Sequence, residues 1–249
     1  MLFDAHCHLS FPEFDKDRDE VVERALANDV SIINSSVSVQ EIDKARSVKE
    51  RYGNVHWTLG LSASETDNEK VDGTIDAIRK YRSEICGIGE VGLDYYWVKD
   101  EKGRAREREN FLKFIRLSKE TGLPLIVHSR DAEEDCIRML EENGRKALMH
   151  CFSGTVEQAM RAASFGCLIS VPANVTRVGS RQALAMALPL ESLVLETDAP
   201  YLPPVHNTRN EPSNVACGAG KIAELKGISF EQVSQKTSEN VRNFLSLHK

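Results

Sequence analysis

The sequence predicts an α/β protein, a (β/α)8 barrel (TIM barrel) formed by residues 1–249 as one domain. Short apolar segments alternate with longer amphipathic segments along the chain, roughly 30 residues per pair, and eight pairs can be counted. The apolar segments are continuous rather than alternating, as in parallel strands that are covered on both faces. A length of 249 residues suits one such barrel, and a doubly wound open sheet is the alternative.

Eight segments carry the strand pattern. Each is a short run rich in Leu, Ile and Val, bounded by polar or turn-forming residues. The predicted strands cover residues 2–6, 30–35, 55–61, 85–90, 125–128, 147–150, 167–171 and 193–196. Parallel strands need a crossover connection, so a helix is expected in each interval.

Helical spacing of apolar residues is clearest in four intervals, namely residues 18–28, 111–121, 132–143 and 155–165. Gly122, Gly144 and Gly166 follow three of these segments, and glycine commonly ends a helix because it adopts the left-handed conformation without strain. The segment 98–109 is densely charged. We interpret it as a solvated loop and helix start rather than as a nucleic-acid contact.

The charge balance excludes binding of nucleic acid through a global basic surface. The formal net charge is −6 and the pI is about 5.7, so any phosphate-binding charge is local or comes from a metal. The six cysteines include no C-x-x-C pair, which predicts free thiols in a reducing compartment. Since we find no leader sequence and no apolar run of about 18 residues, we expect a cytoplasmic protein without membrane contact.

Residues that ligate metals interrupt the apolar pattern at one end of the predicted barrel. The strand ends carry His6, His8, Glu90, His128, His150 and Asp198. Active sites of (β/α)8 barrels lie at the carboxyl ends of the strands. Buried carboxylates and imidazoles without partners are costly, so six of them at one end favour a metal site over ordinary core polar residues. His6 and His8 are two positions apart, so in a strand they would point to the same side.

Six segments together resemble the TatD-type metal-dependent deoxyribonucleases, which belong to the wider amidohydrolase-like barrels. They are "DAHCHL" at 4–9, "GIGEVGLDYY" at 87–96, "VHSRDA" at 127–132, "HCFSG" at 150–154, "ETDAPYL" at 196–202 and "RNEP" at 209–212. An H-x-H pair alone would be a weak signal, whereas all six segments in this order are specific. The resemblance covers essentially the whole chain.

The resemblance implies two divalent ions. His6, His8, Glu90 and Asp198 would hold one, while Glu90, His128 and His150 would hold the other, with the Glu90 carboxylate bridging. It also implies hydrolysis of phosphodiester bonds in DNA, mainly in single strands and from the 3′ end.

Two ions about 4 Å apart can hold a hydroxide and polarise a phosphoryl oxygen together. Glu90 and Asp198 are the predicted catalytic carboxylates, and Asp198 is placed to take a proton from the attacking water. The alternative for Asp198 is a ligand without a proton role. Mixed imidazole and carboxylate ligation is compatible with Mg²⁺, Mn²⁺ or Zn²⁺.

Two arginines are candidate substrate contacts. Arg130 shares the inward parity of His128 if the strand continues, and its guanidinium suits a phosphate oxygen, although an ion pair with Asp131 is the alternative. Arg209 is a candidate through the resemblance, as are Asn210 and Glu211.

The residues Tyr95, Tyr96 and Trp97 follow the fourth strand. They are predicted either to stack on bases at the barrel mouth or to anchor a loop.

The family usually carries a His-Pro pair after the third strand, where this sequence has Ser62 and Ala63. The departure concerns substrate handling rather than the metals.

One layer deeper, Asp4 is expected to orient a ligand histidine, while the residues give no physical account of Glu196. Cys7 and Cys151 adjoin candidate histidines and are expected on the opposite face of their strands.

Two other functions are compatible with the same residues. The barrel and the hydroxide would also serve a hydrolase of carboxylic esters or amides, such as a lactonase, an amidase or an aminoacyl-tRNA deacylase. A binding protein that has kept the site and lost turnover is the other alternative. The complete set of candidate ligands argues against it.

Overall fold

The computed structural model describes residues 1–247 and confirms the predicted (β/α)8 barrel. Eight parallel strands lie in one sheet in the order of the sequence, which excludes a doubly wound sheet. They are β1 (Leu2–Cys7), β2 (Val30–Ser36), β3 (Val55–Leu59), β4 (Ile88–Gly92), β5 (Leu125–His128), β6 (Ala147–Met149), β7 (Leu168–Pro172) and β8 (Leu193–Glu196). His248 and Lys249 lie outside the described residues.

One α-helix follows each of the first seven strands, and two follow the last. They are α1 (Arg18–Ala27), α2 (Ile42–Arg51), α3 (Asn68–Tyr81), α4 (Glu101–Thr121), α5 (Glu133–Glu142), α6 (Val156–Ser164), α7 (Gly179–Ala187), α8 (Val215–Lys226) and α9 (Phe230–Leu245). No helix within residues 1–247 is long and apolar enough to span a membrane.

The last strand returns to the first at their carboxyl ends. The backbone N–H of Asp198 donates to the carbonyl of His6 over 2.9 Å, and the N–H of His8 donates to the carbonyl of Ala199 over 2.8 Å. These bonds join β1 and β8 beside two candidate ligands. We call this junction the β1–β8 seam.

Helix α9 covers the amino-terminal end of the barrel. Its Val241 and Leu245 are buried in one apolar cluster with Phe3 and Ala5 of β1. The hydroxyls of Ser234 and Ser238 both donate to the carbonyl of Met1 over 3.0 Å. The amino-terminal end of the barrel is therefore filled by side chains and covered by a helix.

The charged segment 98–109 is helical for most of its length, because α4 begins at Glu101 rather than near residue 111. Asp100 caps the helix, its side chain accepting from the N–H of Gly103 over 2.9 Å. Ion pairs along the helix, such as Arg108 with Glu101, stabilise it further.

Two strands are irregular where they carry a candidate ligand. The pairing of β1 with β2 shifts register between Asp4 and Cys7, an interval that contains His6. The pairing of β4 with β5 shifts between Ile88 and Val91, which encloses Glu90. Such irregularities re-aim side chains next to active sites.

Two glycines allow the backbones around Glu90 to approach one another. A Cβ on Gly60 would lie 2.1 Å from the carbonyl oxygen of Glu90, and a Cβ on Gly92 would lie 1.9 Å from that of His128. No side chain fits at either position. The strands β3, β4 and β5 therefore depend on glycine to bring Glu90 and His128 together.

Candidate metal centre

Glu90 lies at the centre of the six candidate ligands. Its Oε2 is 2.9 Å from Nε2 of His6, 3.7 Å from Nε2 of His8 and 3.1 Å from Nε2 of His150. Its other oxygen, Oε1, is 3.8 Å from Nδ1 of His128. The carboxylate thus faces histidines from both sides of the barrel mouth.

Asp198 completes a group at the β1–β8 seam. Its Oδ1 is 3.5 Å from Nε2 of His8 and 3.9 Å from Nε2 of His6, and the two imidazole nitrogens are 3.3 Å apart. The ligand atoms of these three residues lie within 4.8 Å of one another. Those of His6, Glu90 and His150 do so as well.

His128 joins the second group, with its Nδ1 lying 3.1 Å from Nε2 of His150. The structure therefore brings all six predicted residues to the carboxyl ends of the strands.

The donor set fits divalent cations. Imidazole nitrogens face one another at hydrogen-bonding distance, and the buried Oε2 of Glu90 lies near the ring nitrogens of His6 and His150 without a well-aligned hydrogen bond among residues 1–247. Burial lowers the pKa of His6 to about 4, with the charge of His150 adding to the shift, so the His6 ring is neutral as a ligand must be. Although burial alone would raise the pKa of Glu90, His150 and His6 hold it well below its usual range.

Burial alone would also lower the pKa of His150, but the Glu90 and Glu196 carboxylates raise it well above its ordinary value. A dication bound at this ring replaces a proton there.

A carboxylate behind the ring orients His128. Asp94 Oδ2 lies 2.9 Å from Nε2 of His128, which leaves Nδ1 of that ring for a metal. The other oxygen of Asp94 accepts from the N–H groups of Tyr96 and Trp97, each over 3.0 Å. The sequence prediction missed Asp94. Its place four residues after Glu90, directly beyond a strand end, was the available signal.

The expectation that Asp4 orients a ligand histidine is wrong, and Glu196, which the sequence left unexplained, is the deeper carboxylate near a ligand ring; both residues are fully buried. Asp4 does not contact an imidazole ring. Its oxygens accept from the backbone N–H of Thr197 over 2.7 Å and from the Thr197 hydroxyl over 2.5 Å. Glu196 is the residue that faces a ligand ring, with Oε2 3.7 Å from Nδ1 of His150, and its Oε1 accepts from the N–H of Cys151 over 2.7 Å.

A cavity of about 680 Å³ lies above the six residues. Ser62 and Ala63 line it, so the departure from the family's His-Pro pair lies at the wall of this space. Trp97 and Tyr201 line it as well, and they are 67% and 50% exposed.

Arg130 is one of the cavity-lining arginines. Its guanidinium lies 3.6 Å from the centre of the Tyr96 ring, and it forms no ion pair with Asp131 within residues 1–247. Tyr95 is a loop anchor instead, because it is buried and its hydroxyl donates to Asp135 over 2.5 Å.

The structure does not bring Arg209 into the cavity. Its guanidinium pairs with both oxygens of Asp17, over 2.8 and 2.5 Å, and stacks on the ring of Phe14. Glu211 pairs with Arg24 over 2.7 Å. Both residues stabilise the loop after β8 from outside the mouth.

Asn210 of the same segment is buried and stabilises the loop through hydrogen bonds to backbone carbonyls. Its amide nitrogen donates to the carbonyls of Thr197 and Tyr201 over 2.8 and 2.7 Å. It therefore fixes the loop that carries Asp198.

Comparisons with known proteins agree with this geometry. A family model described as TatD related DNase matches residues 3–246. The chain is 37% identical over 253 residues to the human protein named deoxyribonuclease TATDN3, covering 96% of this chain and 92% of that one. It is 34% identical over 257 residues to the uncharacterized metal-dependent hydrolase YabD of Bacillus subtilis, covering 100% of both chains.

A solved structure has the same fold. The crystal structure of YjjV, a TatD homologue from Escherichia coli K12, matches with a TM-score of 0.89 at 25% identity and covers 98% of this chain and 97% of that chain. Family model, relatives and structure all match across almost the full length. The chain therefore belongs to the TatD related DNase family and is a metal-dependent hydrolase.

Proposed function

We propose that residues 1–249 form one cytoplasmic domain that hydrolyses phosphodiester bonds in DNA with two divalent ions. The observation that carries the proposal is the convergence of four imidazoles on Glu90 at the base of an open cavity. The proposed ligands are His6, His8, Glu90 and Asp198 for one ion, and Glu90, His128 and His150 for the other.

When bound, two such cations polarise a phosphoryl oxygen and make an attacking water more acidic. Asp198 is the group that accepts the water's proton, because its side chain is 13% exposed and lines the cavity beside the ligand nitrogens. Glu90 keeps the two ligand groups together. Its position between them, rather than proton transfer, is its catalytic contribution.

The position of Arg130 supports the proposal that the substrate contains phosphate. Held over the Tyr96 ring, its guanidinium keeps donors available at the cavity wall for a phosphate oxygen. Since the whole chain has a net charge of −6, the positive charge that binds the phosphate backbone has to be local, and Arg130 supplies it at the cavity wall.

Exposed aromatic rings support the proposal that the substrate is single-stranded DNA. Trp97 follows β4 and Tyr201 follows β8, which are diametrically opposed strands of an eight-stranded barrel. Rings on opposite rims of the mouth can stack on unpaired bases, whereas bases in a duplex stack on one another. We therefore propose a single strand as the substrate, and we propose stepwise cleavage from its 3′ end because the resemblance to the family implies it. The human relative named a deoxyribonuclease supports DNA as the substrate.

The test compares four substrates on one preparation. Protein freed of metal is reloaded with Mg²⁺, Mn²⁺ or Zn²⁺ and assayed on 5′-labelled single-stranded DNA, the same DNA as a duplex, RNA of the same sequence, and a panel of esters and lactones. We expect a ladder of shortened single strands, with Asp198→Asn as the inactive control. Turnover confined to esters or lactones would replace this proposal with the carboxylic ester hydrolase.

A further inference from the structure

Arg181 is a buried arginine that the metal centre does not use. It lies in the first turn of α7, is only 9% exposed, and lines the cavity. Within residues 1–247 no carboxylate lies within 4.0 Å of its guanidinium, unlike Arg209, which pairs with Asp17. A buried cation without a counter-ion is unfavourable, so the site calls for an anion.

The contacts of Arg181 leave part of the guanidinium without a partner. Nη2 donates to the carbonyl of Cys151 over 3.1 Å and lies 3.6 Å from its sulfur, whereas the buried Nη1 has no acceptor among the described residues. Cys151 follows the ligand His150 directly and itself lines the cavity, contrary to the expectation that it would face away. The unpartnered nitrogen therefore belongs to a side chain that lines the same cavity as the candidate ligands.

The nearby carboxylates face other groups. Glu196 accepts from the N–H of Cys151, and Asp198 faces His8. Neither is in ion-pair contact with Arg181. Any anion that pairs with this guanidinium has to come from outside the described chain.

A structural role for Arg181 is the competing explanation. Cys151 has a φ of 45°, in the left-handed region that non-glycine residues rarely adopt, and a donor on its carbonyl helps to hold that turn. One neutral amide would be enough for this purpose. A permanent charge with five donors is needed only when an anion is bound, and a phosphate group matches the planar fork of a guanidinium.

We propose that Arg181 binds a second phosphate group of the substrate, next to the phosphate being cleaved. The inference rests on the proposed function, since it assumes a substrate with successive phosphates. It assigns the wall formed by α7 and Cys151 to recognition of the nucleic-acid backbone, and it predicts that this acidic protein binds a polyanion more tightly than a simple phosphodiester.

The test measures binding rather than turnover. Dissociation constants of thymidine 3′,5′-bisphosphate and of both thymidine monophosphates are determined by calorimetry on the metal-loaded protein and on Arg181→Gln. The glutamine amide can still donate to the Cys151 carbonyl. We expect the wild type to bind the bisphosphate more tightly than either monophosphate, and the variant to lose about ten- to a hundredfold for the bisphosphate only.

Arg177→Gln is the matched control. Arg177 lies four positions earlier, is exposed, and contacts the carbonyl of Pro203, so its loss should leave all three dissociation constants unchanged. Arg181→Lys serves as the second variant in case the glutamine variant folds poorly. It keeps the charge without the fork and should lose selectivity for the bisphosphate by a smaller factor.

Equal losses for bisphosphate and monophosphates, or reduced metal content, would show that Arg181 merely holds Cys151 and His150, and would overturn the inference. Unchanged binding of all three ligands would overturn it as well. Because the nucleotides are bound and not cleaved, this result is separate from the DNA assay. A wild type that selects the bisphosphate through Arg181 but leaves DNA intact would refute the proposed function alone.

Discussion

The histidines on the two sides of the metal centre are oriented by different means. On the side of β1, Nδ1 of His8 lies 3.1 Å from the carbonyl oxygen of Ser35, and the buried Nδ1 of His6 has no partner among residues 1–247. A neutral backbone group and the β1–β8 seam hold this pair. No side-chain carboxylate lies behind either ring.

On the side of β5 and β6, carboxylates lie behind both rings. Asp94 contacts His128 over 2.9 Å, and Glu196 faces His150 over 3.7 Å. The Asp94 carboxylate, at hydrogen-bonding distance, fixes the tautomer of His128 and makes that ring a stronger metal ligand, whereas Glu196 acts on His150 through its charge. The β5–β6 side can therefore be weakened without altering a ligand, whereas the β1 side depends on its backbone.

Glu90 belongs to both sides, so Glu90→Gln tests whether they form one centre. We expect loss of turnover and at most one tightly held ion per chain, because the amide offers one neutral oxygen where two anionic oxygens face the histidines. Elemental analysis and the DNA assay measure the two effects. Two ions per chain with activity retained would show that the sides are independent.

Asp198→Asn tests the seam side alone. The amide oxygen can still coordinate a metal but cannot accept a proton, so we expect the rate to fall by about a hundred- to ten-thousandfold. Metal content should fall less than in a His6→Ala, His8→Ala double variant, which serves as the comparison. Wild-type turnover in Asp198→Asn would remove the general-base role.

Asp94→Asn and Asp4→Asn compare a carboxylate that contacts a ligand ring with one that does not. We expect Asp94→Asn to weaken binding of one ion by about ten- to a hundredfold, measured by competition with a chelator. Asp4→Asn should leave metal affinity nearly unchanged and lower the free energy of unfolding by about 1–3 kcal/mol, because Asp4 accepts two hydrogen bonds from Thr197. Equal losses of metal in both variants would contradict the comparison.

The sequence predicted the barrel and the positions of the six candidate ligands because polar residues at strand ends interrupt apolar runs. It could not predict which deep carboxylate faces a histidine. That outcome depends on the register shift of β1 and on the path of the chain at Cys151. The sequence also could not show that Arg209 pairs with Asp17, because this ion pair joins segments far apart in the sequence.

Charged residues on helices are the other case where the sequence falls short. Arg181 and Glu107 lie in segments rich in polar residues, and such residues usually face solvent. Both are buried, because the helix face that packs on the barrel is decided by tertiary contacts. The segment 98–109, which the sequence predicted to be solvated, therefore contains a buried carboxyl group. This group, Glu107, contacts the backbone of Asp94 on the β5–β6 side of the metal centre.

Of the substitutions considered, Glu107→Gln should have the smallest effect, and the effect is on stability rather than on turnover. It tests whether the Glu107 carboxyl group, buried beside Asp94, is neutral in the folded protein. Glu107 Oε1 accepts from the backbone N–H of Asp94 over 3.3 Å, while Oε2 has no partner among residues 1–247. Burial raises the pKa of Glu107 from 4.5 to about 7, and the charge of Asp94 adds to the shift. Between those values the folded state holds a proton that the unfolded state has released, so this group's contribution to stability falls as pH rises.

The glutamine variant stays neutral at every pH and keeps an oxygen for the Asp94 N–H. We therefore expect it to match the wild type in urea unfolding at about pH 5 and to be more stable by about 1–3 kcal/mol at about pH 8. Glu109→Gln, an exposed position on the same helix, is the matched control and should follow the wild type at both pH values. A Glu107→Gln variant whose stability changes with pH as the wild type does would show that Glu107 is ionised in the folded protein, and that the loop carrying Asp94 accommodates two negative charges.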